Sequence, residues 1–167
     1  DKHLSYRWDW ALEMYQVAQK HKIPFMAGSS VPLATRRPNL ELPPGQVIDE
    51  AISIHGGPLE SYDFHGLETL QCMVERRKGG ECGVKNMHAF KGEDFWNAHH
   101  EQVWSLDLFE ANLCRSHKFT PARAGFNHIF PNIDELKKMC AEPIAYHYEH
   151  NDGLKCTMIL LDGVVQD

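Results

Sequence analysis

The chain has 167 residues, 43% of them hydrophobic and 24% charged, with a formal net charge of -6. That length supports one ordinary domain, or one domain with part of another, around a hydrophobic core of its own. The acidic balance, without clustered excess Lys and Arg, argues against a nucleic-acid partner or an anionic membrane surface, and no apolar stretch approaches the roughly 20 residues of a membrane span.

The segment from Trp8 to His21 places Trp10, Met14 and Val17 at helical spacing behind Ser5, a candidate N-cap, and predicts an amphipathic helix. Pro24 then opens the apolar run Phe25-Met26-Ala27, closed by Gly28, which reads as a buried strand. Helix followed by buried strand is the rhythm of a doubly wound sheet. From Ser29 to Gly45 the prolines Pro32, Pro38, Pro43 and Pro44 interrupt any regular element, and the stretch reads as a connection between domains. A strand is expected at Glu50 to His55, ending at Gly56-Gly57-Pro58. The next helix carries Phe64, Leu67, Leu70 and Val74 on one face. Its end is marked by Arg76-Arg77-Lys78, cations suited to the negative end of a helix dipole, before Gly79-Gly80.

Gly83 to Lys91 reads as a strand and Ser105 to Ser116 as a helix with Leu106, Leu108, Phe109 and Leu113. Pro121 to Pro131 reads as loop, with a short helix near Ile133 to Met139. Two strands, Ala145 to His150 and Leu154 to Leu161, flank Asn151-Asp152-Gly153, whose Asp-Gly pair suits a tight hairpin turn. The sequence begins at Asp1 without Met and stops soon after the apolar run Met158 to Leu161, so both ends read as interior to a longer chain. Five widely spaced cysteines, an odd number without a Cys-x-x-Cys pair, read as reduced thiols of a cytoplasmic protein.

Asp1-Lys2-His3, the following helix and Ile23-Pro24-Phe25-Met26-Ala27-Gly28 resemble the Glu-Lys-Pro motif, helix and strand that close the nucleotide-binding domain of the glucose-fructose oxidoreductase/inositol dehydrogenase family. Gly56-Gly57 and Phe64-His65-Gly66-Leu67-Glu68-Thr69-Leu70 resemble that family's glycine-rich turn and the His-Ala-Leu-Asp-like start of its next helix. The hairpin fits the same order of elements, and the likeness is closest to uncharacterised bacterial members. The resemblance implies an α/β (α+β) chain in two parts. Residues 1–30 would be the end of a Rossmann-like domain. Residues 31–167 would form part of a substrate-binding and oligomerisation domain, an open, mainly antiparallel sheet with helices on one face.

The function it implies is hydride transfer between NAD or NADP and a hydroxyl carbon of a small sugar or cyclitol-like substrate. Lys2 matches the family lysine near the nicotinamide and the substrate hydroxyl, where an ammonium stabilises developing negative charge. His65 matches the family's acid/base histidine, and imidazole exchanges protons near neutral pH. Arg36 and Arg37 are candidates for a substrate carboxylate or phosphate, because guanidinium pairs with such anions. Glu68, three residues from His65, shares its helix face and is a candidate substrate contact. Assembly of like copies through the sheet is also implied.

Two positions depart from the pattern: Ser61 stands four residues before His65 where relatives commonly carry Asp, and His3 replaces the motif proline. No Gly-x-Gly-x-x-Gly occurs anywhere, so a pyrophosphate cradle would have to precede Asp1. Without that cradle, these 167 residues are expected to be inactive by themselves.

Two other readings come from the residues alone. The eleven histidines raise a metal-dependent enzyme, with His55, Asp63, His65 and Glu68 as the converging set. Against it, His147 and His150 point to opposite faces of a strand, and His99-His100-Glu101 lacks the spacing of a helical His-Glu-x-x-His site. The other reading is a non-catalytic assembly domain with Tyr146 and Tyr148 as anchors on one strand face. A nucleophilic elbow is absent.

Overall fold

In the computed structural model, which describes residues 3–116 and 133–165, the chain order is helix α1 (Trp8–Lys20), strand β1 (Glu50–His55), helix α2 (Leu59–Val74), strand β2 (Val84–Lys91), helices α3 (Glu93–His100), α4 (Leu106–Leu113) and α5 (Ile133–Met139), and strands β3 (Ile144–His150) and β4 (Lys155–Leu160). The expected loop over Pro121–Pro131 lies outside the described residues. The strands form one open sheet of order β1-β4-β3-β2. Two of its three pairings are antiparallel, while β1 runs parallel to β4 in the register Glu50↔Lys155 to His55↔Leu160. Helices pack on this mixed sheet, as expected of the α/β class.

One detail of the expectation is corrected, for the helices cover both faces. Alternation along β4 sends Cys156, Met158 and Leu160 to one side, where Leu70 and Val74 of α2 meet them with Tyr148 of β3. Ile159 faces the opposite side with Leu161 just beyond the strand, against Phe95 and Trp96 of α3, Phe109 and Leu113 of α4, and Leu136 of α5. A strand that is apolar on both sides needs cover on both sides, and β4 is buried at every position after Lys155. α2 lies close to the sheet because Gly66 has no side chain: a β carbon there would sit 2.8 Å from Met158 Sδ and 2.9 Å from a His55 ring carbon.

Helix α3 was not anticipated from the sequence. It nonetheless supplies the centre of its core, with Phe95 and Trp96 beside Trp104. α4 begins as its sequence suggests, Ser105 Oγ accepting from the Leu108 N–H. In α1 the cap differs: Arg7 occupies the N-cap position, and Ser5 Oγ accepts from the Arg7 N–H instead.

The basic cluster also has another role. No cation lies in the last turn of α2, and the three basic residues follow its end. Arg77 is buried, with Nε donating to Asp152 Oδ2 at 2.7 Å and Nη1 to the Val74 carbonyl at 2.9 Å, so it joins the helix end to the β3–β4 turn. Arg76 Nε donates to the Leu42 carbonyl, and Gly45 N–H to the Arg76 carbonyl at 2.7 Å. The proline-rich connection is thereby tied along α2, with one short 3-10 turn, Val31–Leu33, as its regular element.

The expected strand at Phe25–Ala27 is not formed. The segment pairs with no strand among the described residues, Phe25 edges onto Tyr15, and Met26 is 94% exposed. A short apolar run has the same pattern whether it is buried in a sheet or extended along a surface.

Candidate functional site

Three residues separate Leu67 from Leu70 and four separate Leu70 from Val74, so these side chains fall on the sheet side of α2. The same periodicity places His65, Glu68 and Cys72 in a row on its outer side. Across that row runs the segment after α1. Ser29 Oγ lies 2.5 Å from His65 Nδ1, and the Ser29 N–H donates to Glu68 Oε2 at 3.1 Å. Ser29 Oγ also accepts from the Val31 N–H at 3.0 Å. Gly28 makes the approach possible: its φ is 148°, and a β carbon there would stand 2.6 Å from Glu68 Oε2 and displace the carboxylate.

Next to this contact, Met26 to Ser30, Pro32 and Leu33 form one wall of a shallow pocket of about 450 Å³, with Glu68, Cys72 and Glu75 on the other. Arg36 lies further along α2, its guanidinium 3.7 Å from Cys72 Sγ and paired with Glu41 at 2.6 Å. Burial raises the Cys72 thiol above its ordinary value, with Arg36 opposing, so this sulfur is not an activated thiolate.

At the start of α2, His3 packs edge-on against Phe64, the neighbour of His65. Lys2 lies outside the described residues. Asp63 turns toward the sheet, where Tyr146 donates to its Oδ2 at 3.4 Å, a long contact. Burial first, and Asp63 second, raise the Tyr146 phenol, which therefore stays protonated and able to donate.

The sequence-selected residues thus divide. His65, Glu68 and Arg36 share the outer face of α2, while Arg37 is exposed on the connection. Ser29 was not singled out by the sequence, because a serine 36 residues away reaches His65 only through the tertiary fold. A hydrolytic triad would need a carboxylate on the second imidazole nitrogen, but Glu68 holds the Ser29 backbone instead.

Among the described residues no three His, Cys, Asp or Glu side chains are grouped to hold a metal ion. His147 bonds Thr157 Oγ1 at 2.9 Å, while His150 lies beside Tyr148. All five cysteines are free, and burial pushes Cys156 up to about 11. No helix among the described residues is long and apolar enough to cross a membrane.

The strand-to-helix turn with paired glycines, Gly56-Gly57, does not form a pyrophosphate cradle: its Gly57 N–H donates to the Asp162 carboxylate at 3.2 Å, and that fixed anion would repel a phosphate there. Comparison of the chain with family models, curated proteins and solved structures finds no match.

Proposed function

We propose that this chain is the substrate-side part of an NAD(P)-dependent oxidoreductase acting on a hydroxyl carbon of a sugar or cyclitol-like molecule, as in the family it resembles. The observation that carries the reading is the meeting of Gly28-Ser29 with His65 and Glu68. By the resemblance, residues 1–30 end a nucleotide-binding domain and α2 bears the acid/base histidine, and the fold brings these two stretches into hydrogen-bonding contact.

The exposed apolar side of α1 supports the same reading, because the remainder of such a domain would cover it. In this proposal a nicotinamide cofactor would be held by residues outside those described and would supply the hydride-transfer chemistry. His65 exchanges the proton of the substrate hydroxyl, and Lys2 stabilises the charge on that oxygen. Arg36, in reach of the same helix face, is the candidate for an anionic substrate group, with Arg37 on the adjoining connection. A cytoplasmic location and assembly of copies through the sheet belong to the proposal as well. β2 supports the latter, as an edge strand exposed at nearly every position.

The test uses the intact protein, titrated with NAD and NADP and assayed on polyols and sugars. His65→Ala is expected to lower turnover by about 10²- to 10⁴-fold with cofactor binding retained. Absence of nicotinamide binding, or turnover unchanged by the substitution, would overturn the reading.

A further inference from the structure

We infer that Ser29 is a positioning residue for His65, fixing the neutral ring with its proton on Nε2 and so presenting a hydrogen-bond donor to an oxygen of the substrate. The argument is one of donors and acceptors. A serine hydroxyl has one hydrogen and two acceptor lone pairs. The Val31 N–H already donates to Ser29 Oγ at 3.0 Å, and among the described residues the other polar atom within hydrogen-bond distance of that oxygen is His65 Nδ1 at 2.5 Å. If Nδ1 carried the ring proton, Oγ would accept twice and its own hydrogen would have to turn outward to solvent. With the hydroxyl donating to Nδ1, that hydrogen is used within the fold.

Which imidazole nitrogen bears the proton is set by the bond the other one makes. Nδ1 therefore accepts, and Nε2 bears the hydrogen. Nε2 has no hydrogen-bond partner among the described residues, and the half-buried ring is available to a ligand.

Three features hold Ser29 in place. Its N–H is anchored on Glu68, its hydroxyl oxygen on the Val31 amide, and Gly28 before it admits the Glu68 carboxylate without a clash. Glu68 thus acts on the ring through Ser29, a different task from the substrate contact its helix position suggested.

A neutral Nε2–H can donate to a carbonyl oxygen or to a hydroxyl oxygen of a bound substrate and so orient it. The inference rests on the oxidoreductase reading only for the reaction served. To deliver the Nε2 proton to a substrate oxygen, the ring first gains a second proton at Nδ1 from solvent, the Ser29 hydroxyl turning so that Nδ1–H donates to Oγ, and release of the Nε2 proton then leaves the neutral Nδ1–H tautomer.

The full chain, free of cofactor and substrate, is labelled with nitrogen-15 and the tautomer of His65 is read from long-range proton–nitrogen spectra at mildly alkaline pH. The expected result is an unprotonated Nδ1 and a protonated Nε2. Ser29→Ala should lower the ratio of the two tautomers by about tenfold, the worth of one hydrogen bond, and Ser29→Thr should restore it because the hydroxyl is kept.

A protonated Nδ1 in the unsubstituted chain would overturn the inference. So would identical spectra from the unsubstituted chain and Ser29→Ala, with the remaining resonances of both unchanged. No nicotinamide enters this measurement, so its outcome is independent of whether the intact protein turns over a sugar.

Discussion

The sheet body and the segment before it treat the same kinds of residue in opposite ways. In the sheet body Trp104 is 1% exposed, enclosed by Phe90, Phe95 and His99, and α3 and α4 bury Phe95, Phe109 and Leu113 completely or nearly so. In α1 the tryptophans Trp8 and Trp10 are 79% and 42% exposed, Met14 and Val17 are exposed as well, and Ala18 alone is buried. Helical periodicity in a sequence therefore reports that a face is built for contact, without saying where the contact is made. In α1 the apolar stripe is one that the sheet does not use.

The largest effect should come from the enclosed side of this comparison. Trp104→Ala removes an indole from the middle of an aromatic cluster, and its Nε1–H donation to His99 Nδ1 at 3.3 Å goes with it. A loss of about 3–5 kcal/mol is expected in denaturant unfolding, the range for large-to-small changes in packed cores. A loss below about 1 kcal/mol would mean that this core is looser than its burial indicates.

Arg77 comes next, with a different kind of energy at stake. Arg77→Ala takes one of two donors from the Val74 carbonyl, which keeps the N–H of residue 77, and frees the hairpin turn from α2, with an expected cost of about 1–3 kcal/mol, lower than for a fully enclosed pair because Asp152 keeps contact with water. The Arg77 guanidinium holds Asp152 down at about 2, below its ordinary 3.8. A depressed folded-state value means that the pair's contribution is complete above pH 3.8 and is lost as pH falls through about 2. Asp152→Asn should flatten the acid limb of the stability curve in that window, and an unchanged limb would remove the pair from the account.

Much of this fold was legible in the sequence, and the failures share a cause. The hairpin, β1, α2 and the short helix at Ile133–Met139 follow from alternation, periodicity and turn residues, which are local signals. The strand expected at Phe25–Ala27 failed because an apolar triplet carries no information on whether a sheet edge is available. The basic run after α2 was read from its charge and its place at a helix end, but only the tertiary fold brings Asp152, 75 residues on, to Arg77. His65 and Glu68 were picked out together because helical spacing is readable, and Arg36 because its residue type suits anions. Ser29 was not, since nothing in Gly28-Ser29-Ser30 announces a contact with a distant helix.

A smaller effect concerns two histidines of the sheet body, His99 and His147. Burial lowers both His99 and His147 from the ordinary histidine value, and His147 also feels Glu50, Glu149, Lys155 and His88 around it. A lowered folded-state value makes the unfolded chain the better proton acceptor. Stability from both rings is therefore fully present above pH ~6.5 and declines as pH falls below it. Unfolding followed between pH ~7.5 and ~5 should show that decline, and His99→Gln should reduce its slope. A slope untouched by the substitution would place the acid sensitivity elsewhere.

The smallest expected change is the one that decides the comparison. Serine at Trp10, Met14 and Val17 together should alter the unfolding free energy of this chain by no more than about 0.5 kcal/mol per site, since surface substitutions away from packed features are near neutral. The same three changes in the core would be ruinous. If α1 proved as costly to alter as Trp104, its apolar side would already be covered within these residues, and the need for a partner would disappear. If it proves silent in unfolding yet abolishes association of the protein with itself or with a partner, the exposed stripe is an interface, and the 3–30 segment belongs to whatever lies against it. That second result would also give Ser29 its context. The serine would then couple the partner's position to the ring of His65 through Gly28 and Glu68, and loosening α1 should blur the His65 tautomer even with Ser29 intact.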